Sequence, residues 1–214
     1  MTILDILLKG GILMVPIYLI SIVALYIVIE RVRALHKVQI NTRAFVLQVR
    51  NMLLQNNVEA ALLHCRKTAG PIAKMTRIGI ENISRPRIEI KDAIESTGKA
   101  EIFILEKNLG TLATLASIAP MIGFLGTVTG MIRAFMEIQE RGGNVDATVL
   151  AGGIWEALLT TAAGLAVGIL ALILYNWIQG KVEKIVHQME EVSTEMLTSI
   201  INETGAREHE LANH

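Results

Sequence analysis

Four polar side chains lie in or beside two long stretches of sequence that carry no charge. They are Thr127, Glu156, Thr160 and Thr161. Hydroxyl groups in an apolar helix can line a path for ions, and an acid at membrane depth usually serves such a path or an ion pair. The alternative for each threonine is a hydrogen bond to the carbonyl four residues earlier in its own helix, with no other role. The pattern makes all four side chains candidates for an ion path.

Glu156 has a second interpretation of its own. It stands at one end of its stretch beside Trp155, where an acid at the membrane interface is only mildly costly. Glu156, Thr160 and the turn at 163–164 share one face of a helix with 3.6 residues per turn. We therefore expect a polar stripe to lead inward from the acid, with a purely interfacial acid as the alternative.

Three uncharged stretches define the class of protein. One runs over 18 residues from Ile12 to Ile29, one over 25 residues between Lys107 and Arg133, and one over 24 residues between Glu156 and Lys181. A membrane-spanning helix needs about 20 residues at ~1.5 Å each. The sequence thus predicts an all-α integral membrane protein with three transmembrane helices.

The composition of the 214 residues excludes several functions. The net charge is zero, so there is no basic field for nucleic acid. The single cysteine, Cys65, cannot form an intramolecular disulfide or a cysteine-based metal site. No nucleophile–base pair is visible, and "GFLGTVTG" lacks the lysine of a phosphate-binding loop. We expect no enzyme activity, no catalytic residue, no cofactor and no metal.

Lysine and arginine near the span ends predict the orientation. The segment 31–107 carries 14 Lys and Arg against 7 Asp and Glu, which indicates the inner side. The first span follows Asp5 and Lys9 rather than a basic leader, so we expect it to be retained. The predicted divisions are 1–11 outside, 12–30 first span, 31–108 inner helical domain, 109–136 second span, 137–152 outer hairpin, 153–180 third span, and 181–214 inner helix and tail.

The inner domain shows helix start and stop signals. Asn41 and Asn57 are predicted helix caps, and the pairs at 70–71 and 85–86 are predicted breaks. From Ile88 we expect one unbroken helix through the second span to about Gln139. The third span is likewise expected to continue inward, along a heptad-like stripe that ends near Gly205. Its members are Val182, Ile185, Met189, Val192 and Met196.

Small residues on the second and third spans predict close helix packing. In both spans the small residues recur every three or four positions and form ladders along the helix. Pro120 is a candidate bend in the second span. The ladders offer more packing surface than one chain can satisfy, which favours a homo-oligomer, and a monomeric three-helix bundle is the alternative. The predicted packing residues are Pro120, Gly123, Gly126, Gly130, Gly164 and Gly168.

The interior of the three spans contains no Asp, Glu, Lys, Arg or His. Hydroxyl groups alone do not carry a proton across a membrane as titratable groups do. If the protein moves protons, the titratable group must therefore come from another chain.

The stretches "LATLASIAPMIGFLGTVTGMIRAF" and "GGIWEALLTTAAGLAVGILALILYN" resemble the MotA/TolQ/ExbB proton-channel family, most closely its ExbB and TolQ members. The match is nearly continuous from Ala119 to Asn176. Two departures are visible. The family often has a proline where this chain has Leu170, and MotA has four spans rather than three, which argues against a flagellar stator.

The resemblance implies a pentameric ring in the bacterial inner membrane, in contact with lipid, with the N-terminus periplasmic and the C-terminus cytoplasmic. An ExbD- or TolR-like single-span partner would occupy the pore and supply a proton-carrying Asp. Thr127 and Thr161 would face it, and Glu156 matches the acid of the third span. The motion would pass to a TonB- or TolA-like protein. The implied function is an ExbB-type motor for outer-membrane transport; the alternatives are a TolQ-type envelope role and a passive scaffold.

Overall fold

The computed structural model describes residues 11–140 and 147–212, with side chains described over 11–140 and 151–198. Residues 1–10 of the predicted outer N-terminus and residues 141–146 of the predicted outer hairpin lie outside the described residues. The seven helices of the described residues are α1 (Met14–Val38), α2 (Thr42–Leu54), α3 (Val58–Lys67), α4 (Pro71–Glu81), α5 (Arg87–Leu105), α6 (Leu109–Glu140) and α7 (Ala147–Ala212).

The chain forms two compact units. One, here called the span unit, contains Met1–Arg31 and Asn108–Ile178, and the other, the helical unit, contains Val32–Lys107 and Gln179–His214. In the part of the chain that the structure describes, three helical segments are long and apolar enough to cross a membrane. They correspond to the three uncharged stretches, and they make the chain an all-helical, multi-pass membrane protein.

Local capping chemistry begins two helices of the helical unit. The Asn41 side-chain oxygen accepts a hydrogen bond from the Ala44 amide at 3.2 Å, and the Asn57 oxygen accepts one from the Ala60 amide at 3.0 Å. Each bond satisfies one of the amide donors left free at a helix N-terminus. Both predicted caps are confirmed. The predicted breaks are confirmed as well, because α4 begins at Pro71 and α5 begins directly after Pro86.

The part of α7 that belongs to the helical unit buries one stripe of side chains. The five residues of the predicted stripe are each at most 4% exposed, so the stripe is confirmed. The helix itself extends through Gly205 to Ala212, beyond the end that we expected. The buried stripe members are Val182, Ile185, Met189, Val192 and Met196.

The structure differs from the expectation of one unbroken helix between Ile88 and Gln139. Helix α5 ends at Leu105, and α6 begins at Leu109. Between them, Asn108 has a φ of 64°, in the left-handed region. Asparagine adopts this conformation more readily than other residues with a side chain. The second span therefore does not extend from α5 as one regular helix.

The turn at Asn108 is held within the span unit by a long-range contact. The Asn108 side-chain nitrogen donates a hydrogen bond to Glu30 Oε2 at 3.0 Å. The neighbouring Arg31, which is only 6% exposed, donates to Glu30 Oε1 at 2.7 Å. One carboxylate thus joins a residue late in α1 to the start of α6.

Helices α6 and α7 approach each other closely through small residues. A Cβ added at Gly130 would lie 2.7 Å from the Ala157 Cβ, and one at Gly126 would lie 2.7 Å from the Thr160 Cβ. One at Gly123 would lie 3.2 Å from the Gly164 Cα. The pairs run in opposite directions along the two helices, so the helices are antiparallel. The two helices can approach this closely only because the glycines carry no side chain.

The same contact explains how α6 contains a proline. Pro120 lies inside the helix, where its ring usually disturbs packing. A Cβ at Gly168 would lie 2.5 Å from the Pro120 Cγ and 2.6 Å from the Cδ. Gly168 therefore leaves room for the proline ring. All six predicted packing residues lie in the α6–α7 contact of a single chain, so the glycines by themselves do not require a second subunit.

Candidate functional site

The two threonines predicted to face a partner lie opposite each other on α6 and α7. The hydroxyl oxygens of Thr127 and Thr161 are in hydrogen-bond contact. Thr161 Oγ1 also donates to the carbonyl oxygen of Gly123 at 2.8 Å. A hydroxyl group has one proton to donate and two lone pairs. Either hydroxyl can donate in the contact between the two threonines. The bond from Thr161 to Gly123 is shorter than the alternatives, which run from Thr127 to Gly123 at 3.5 Å and from Thr161 to Ala157 at 3.4 Å. We therefore assign the Thr161 proton to Gly123 and the Thr127 proton to Thr161.

This direction of donation defines what the pair can do. The Thr127 oxygen gives its proton to Thr161 and keeps its own lone pairs as hydrogen-bond acceptors. Both threonines are partly exposed. In this arrangement, the short chain of bonds from Thr127 through Thr161 to Gly123 leaves acceptor lone pairs on the Thr127 oxygen, between two apolar helices. The hydroxyl groups do not supply a titratable proton themselves.

Thr161 lines an open groove on the span unit with a volume of about 730 Å³. Apart from Thr161, the side chains that line it are apolar. A polar atom in an apolar groove fixes the orientation of what binds there, since the apolar walls do not discriminate. The apolar lining residues are Pro120, Met121, Ile122, Phe124, Leu125, Val128 and Leu165.

Glu156 lies on a different side of α7 from this groove. It precedes Thr161 by five residues, which places the two side chains about 140° apart around the helix axis. The Glu156 Oε1 atom lies 3.8 Å from Arg133 Nη1 of α6. It also contacts Gly11, which precedes α1. The acid therefore faces the beginning of α1 rather than the threonine pair.

Thr160 belongs to the side of Glu156. Its hydroxyl group donates to the Glu156 carbonyl oxygen at 2.9 Å, and the residue is 2% exposed. Together with Ile12, Arg133 and Glu156 it borders a small cavity of about 10 Å³, close to the least volume that holds one water molecule. The polar stripe predicted from Glu156 thus leads into the contact of α6 with α7, and the structure does not bring it to Thr161.

Sequence reasoning missed Arg133 as the partner of Glu156. In the sequence, Arg133 stands out only as the charge that ends an uncharged stretch, and Glu156 as the charge that begins the next one. A signal was present, because both residues lie at the end where a short connection joins two antiparallel spans. Opposite charges at matching depths in such a hairpin are placed to meet. Gly11 and Asn108 were missed too, since their roles depend on residues far away in the chain.

Three apolar helices, a close contact of small residues and a hydroxyl pair beside an apolar groove define a helical membrane protein of the multi-pass class. The sequence profile of the MotA/TolQ/ExbB proton channel family matches residues 67–191 of this chain. The chain belongs to this family.

Individual relatives agree with this assignment. An ExbB homologue of Methanothermobacter thermautotrophicus is 30% identical over 190 residues, which cover 88% of this chain and 67% of the relative. An ExbB-like protein of Synechocystis is 34% identical over a stretch that covers 81% of this chain and 69% of the relative. The Tol-Pal system protein TolQ of Haemophilus influenzae is 32% identical over a stretch that covers 85% of this chain and 86% of the relative. The chain is therefore similar both to ExbB proteins and to a TolQ protein.

Proposed function

We propose that this chain is an ExbB-type subunit of a complex that converts the proton-motive force into motion. The observation that carries the proposal is the hydrogen-bonded pair of Thr127 and Thr161 beside an apolar groove. A groove of this kind suits an apolar helix of a second protein, and the hydroxyl pair suits a polar group on that helix.

The partner must bring the titratable group. The span interiors contain no side chain that carries a proton in the physiological range. A carboxylic acid on a single-span ExbD- or TolR-like helix in the groove would meet the hydroxyl pair at Thr161, which lines the groove. When it is protonated, this acid would donate a hydrogen bond to a hydroxyl oxygen of the pair. Once ionised, it would lose that bond, because an ionised carboxylate only accepts. Each protonation event would thus change how strongly the partner is held at this position, and a TonB-like protein would transmit the resulting motion for outer-membrane transport.

A ring of five copies in the bacterial inner membrane is part of the proposal. The N-terminus would be periplasmic and the C-terminus cytoplasmic, as the distribution of Lys and Arg supports. Exposed apolar side chains on α6 and α7 within the span unit support further helix contacts. Examples are Phe124, which is 66% exposed, and Leu158, which is 58% exposed.

A TolQ-type role in envelope integrity is the second candidate. It is favoured by the similarity to the Haemophilus influenzae TolQ protein, which extends over more than four fifths of both chains. Mechanism and partner class would be the same, and the protein that receives the motion would be TolA-like. A passive scaffold is the third candidate, in which the threonines only pack.

Two cell assays would separate these candidates. The chain is expressed together with an ExbD- or TolR-like single-span protein, in cells that lack their own ExbB and TolQ proteins. Restored uptake of a compound whose outer-membrane passage needs energy supports the ExbB role, whereas restored detergent resistance alone supports the TolQ role. A proton uncoupler must abolish the restored activity. Activity that survives the uncoupler would contradict both motor roles and favour the scaffold.

A further inference from the structure

Glu156 contacts side chains or backbone from two other segments of the span unit. Its Oε1 atom lies 3.8 Å from Arg133 Nη1 on α6. Its carboxyl group also packs against Gly11, just before the first turn of α1. Because Glu156 is on α7, a single carboxylate of this helix contacts both α6 and the residue that precedes the first turn of α1.

Gly11 fits the carboxylate for two independent reasons. Its φ of +68° lies in the left-handed region, which side-chain-bearing residues rarely adopt. In addition, a Cβ on this residue would overlap Oε1 of Glu156 and would lie 2.9 Å from its Cδ. Any larger residue at this position would push the carboxylate away from its place.

The position of Glu156 argues against a role in the ion path. About 140° of helix rotation separates it from Thr161, and the cavity beside it has room for about one water molecule. The adjacent guanidinium group of Arg133 is permanently charged and would repel an arriving cation. The ion pair by itself is weak, because the Arg133 and Glu156 side chains are 66% and 38% exposed. The contact of the same carboxylate with Gly11 adds the second constraint that joins the beginning of α1.

We propose that Glu156 and Arg133 form a clamp that positions the beginning of α1 against α6 and α7. Glu156 is then a positioning residue of the span unit, and it acts on proton-driven work through the placement of α1. The effect on activity rests on the proposed motor function, but the clamp itself does not.

The clamp is tested by a distance measurement on the full chain in lipid nanodiscs. Spin labels are attached at Ile12→Cys and Ile173→Cys in a Cys65→Ala background, since both sites are exposed. Ile173 lies 17 residues beyond Glu156, or about 26 Å along the axis of α7, a separation that pulsed spin resonance resolves well. Dilution with unlabelled chain leaves at most one labelled subunit in an oligomer.

We expect one narrow distance distribution in the parent and loss of that narrow distribution in Glu156→Gln, Arg133→Gln and Gly11→Asn. Asparagine tolerates the left-handed backbone, so Gly11→Asn tests the overlap with the carboxylate rather than backbone strain. The exchange Arg133→Glu with Glu156→Arg should restore the narrow distribution, and Arg133→Lys should retain it. Gly152→Ala and Glu140→Gln are the controls, because a Cβ at Gly152 meets open space and Glu140 is exposed.

Unchanged distributions in the single variants would overturn the clamp. Broad distributions that the exchange does not narrow would overturn the pairing of Arg133 with Glu156. In the uptake assay, the exchange variant should recover the activity that each single variant loses. A narrow distribution without activity in the exchange variant would show that the carboxylate itself is needed, and would overturn the positioning role. If the parent shows no proton-driven activity, the motor proposal fails while the distance results still decide the clamp.

Discussion

Gly164 of α7 lies directly against the backbone of α6 at Ala119. A Cβ on Gly164 would lie 2.6 Å from the carbonyl oxygen of Ala119 and 2.8 Å from the Cα of Gly123. Backbone atoms inside a helix cannot turn aside as the end of a flexible side chain can. The close approach of the two helices, and with it the contact between Thr127 and Thr161, therefore depends on this glycine.

Replacement of Gly164 by alanine should destabilise the span unit. Overpacking of a tight contact costs about 1–3 kcal/mol, more than alanine gains over glycine in a helix. The matched control is Gly180→Ala on the same helix, where nothing lies within 4 Å of the added Cβ. The control should be neutral or more stable by about 0.5–1 kcal/mol. Thermal unfolding of the detergent-solubilised variants measures both, and equal midpoints would contradict the close contact.

Asn108 should tolerate glycine better than alanine. Glycine loses only the hydrogen bond from Asn108 to Glu30, whereas alanine also has to hold a φ of 64°. A left-handed residue with a Cβ costs about 1–2 kcal/mol. Asn108→Ala should therefore be less stable than Asn108→Gly by about 1 kcal/mol, once the greater freedom of glycine in the unfolded chain is included. The reverse order in chemical unfolding would show that the turn does not depend on this backbone conformation.

Because of Cys65, the helical unit should become less stable as the pH rises through the alkaline range. Burial raises the pKa of the Cys65 thiol from 9.0 to about 11. Between these values the unfolded thiol loses its proton while the folded thiol keeps it. Rising pH therefore favours the unfolded state across this window, and below pH 9 the thiol has no such effect.

The comparison variant is Cys65→Ala, because lysine and tyrosine side chains titrate in the same range in both proteins. The thermal midpoint of the parent should fall more steeply than that of the variant between pH 9 and 11. The two curves should run parallel at lower pH. Parallel curves throughout would mean that the thiol is open to solvent in the folded protein.

Features that depend on neighbouring residues were predictable from the sequence. The Asn41 and Asn57 caps need only an amide three residues later. The buried stripe on α7 follows from helical periodicity alone. Pro71 stands at the first position of α4, where its missing amide hydrogen costs nothing. Each of these signals is local, so no knowledge of the tertiary contacts was needed.

Features that depend on distant residues were not predictable in the same way. The break at Asn108 has no Pro to mark it, the nearby Gly110 lies within α6, and the hydrogen-bond partner Glu30 is 78 residues away. The angle between Glu156 and Thr161 follows from their spacing, but the partners of the acid, Gly11 and Arg133, lie far away in the chain. The resemblance to the family gave equal weight to the acid and the threonines, whereas the structure places them on different sides of one helix.

The central claim is that the hydroxyl pair of Thr127 and Thr161 serves proton movement. Thr127→Val and Thr161→Val conserve shape and remove both hydroxyl groups. Loss of a hydrogen bond to a charged or proton-bearing group costs about 1.5–3 kcal/mol, which corresponds to a rate decrease of about 10–100-fold. Thr114→Val on α6 is the matched control, since the exposed Thr114 hydroxyl bonds only the Gly110 carbonyl of its own helix, at 2.9 Å.

The decisive measurement is proton flux into liposomes that contain the chain and its single-span partner, driven by an imposed potential and followed with an internal pH dye. The double variant should form an intact complex and lose flux by about 10–100-fold, while Thr114→Val retains the flux of the parent. Full flux in an intact double-variant complex would contradict the account.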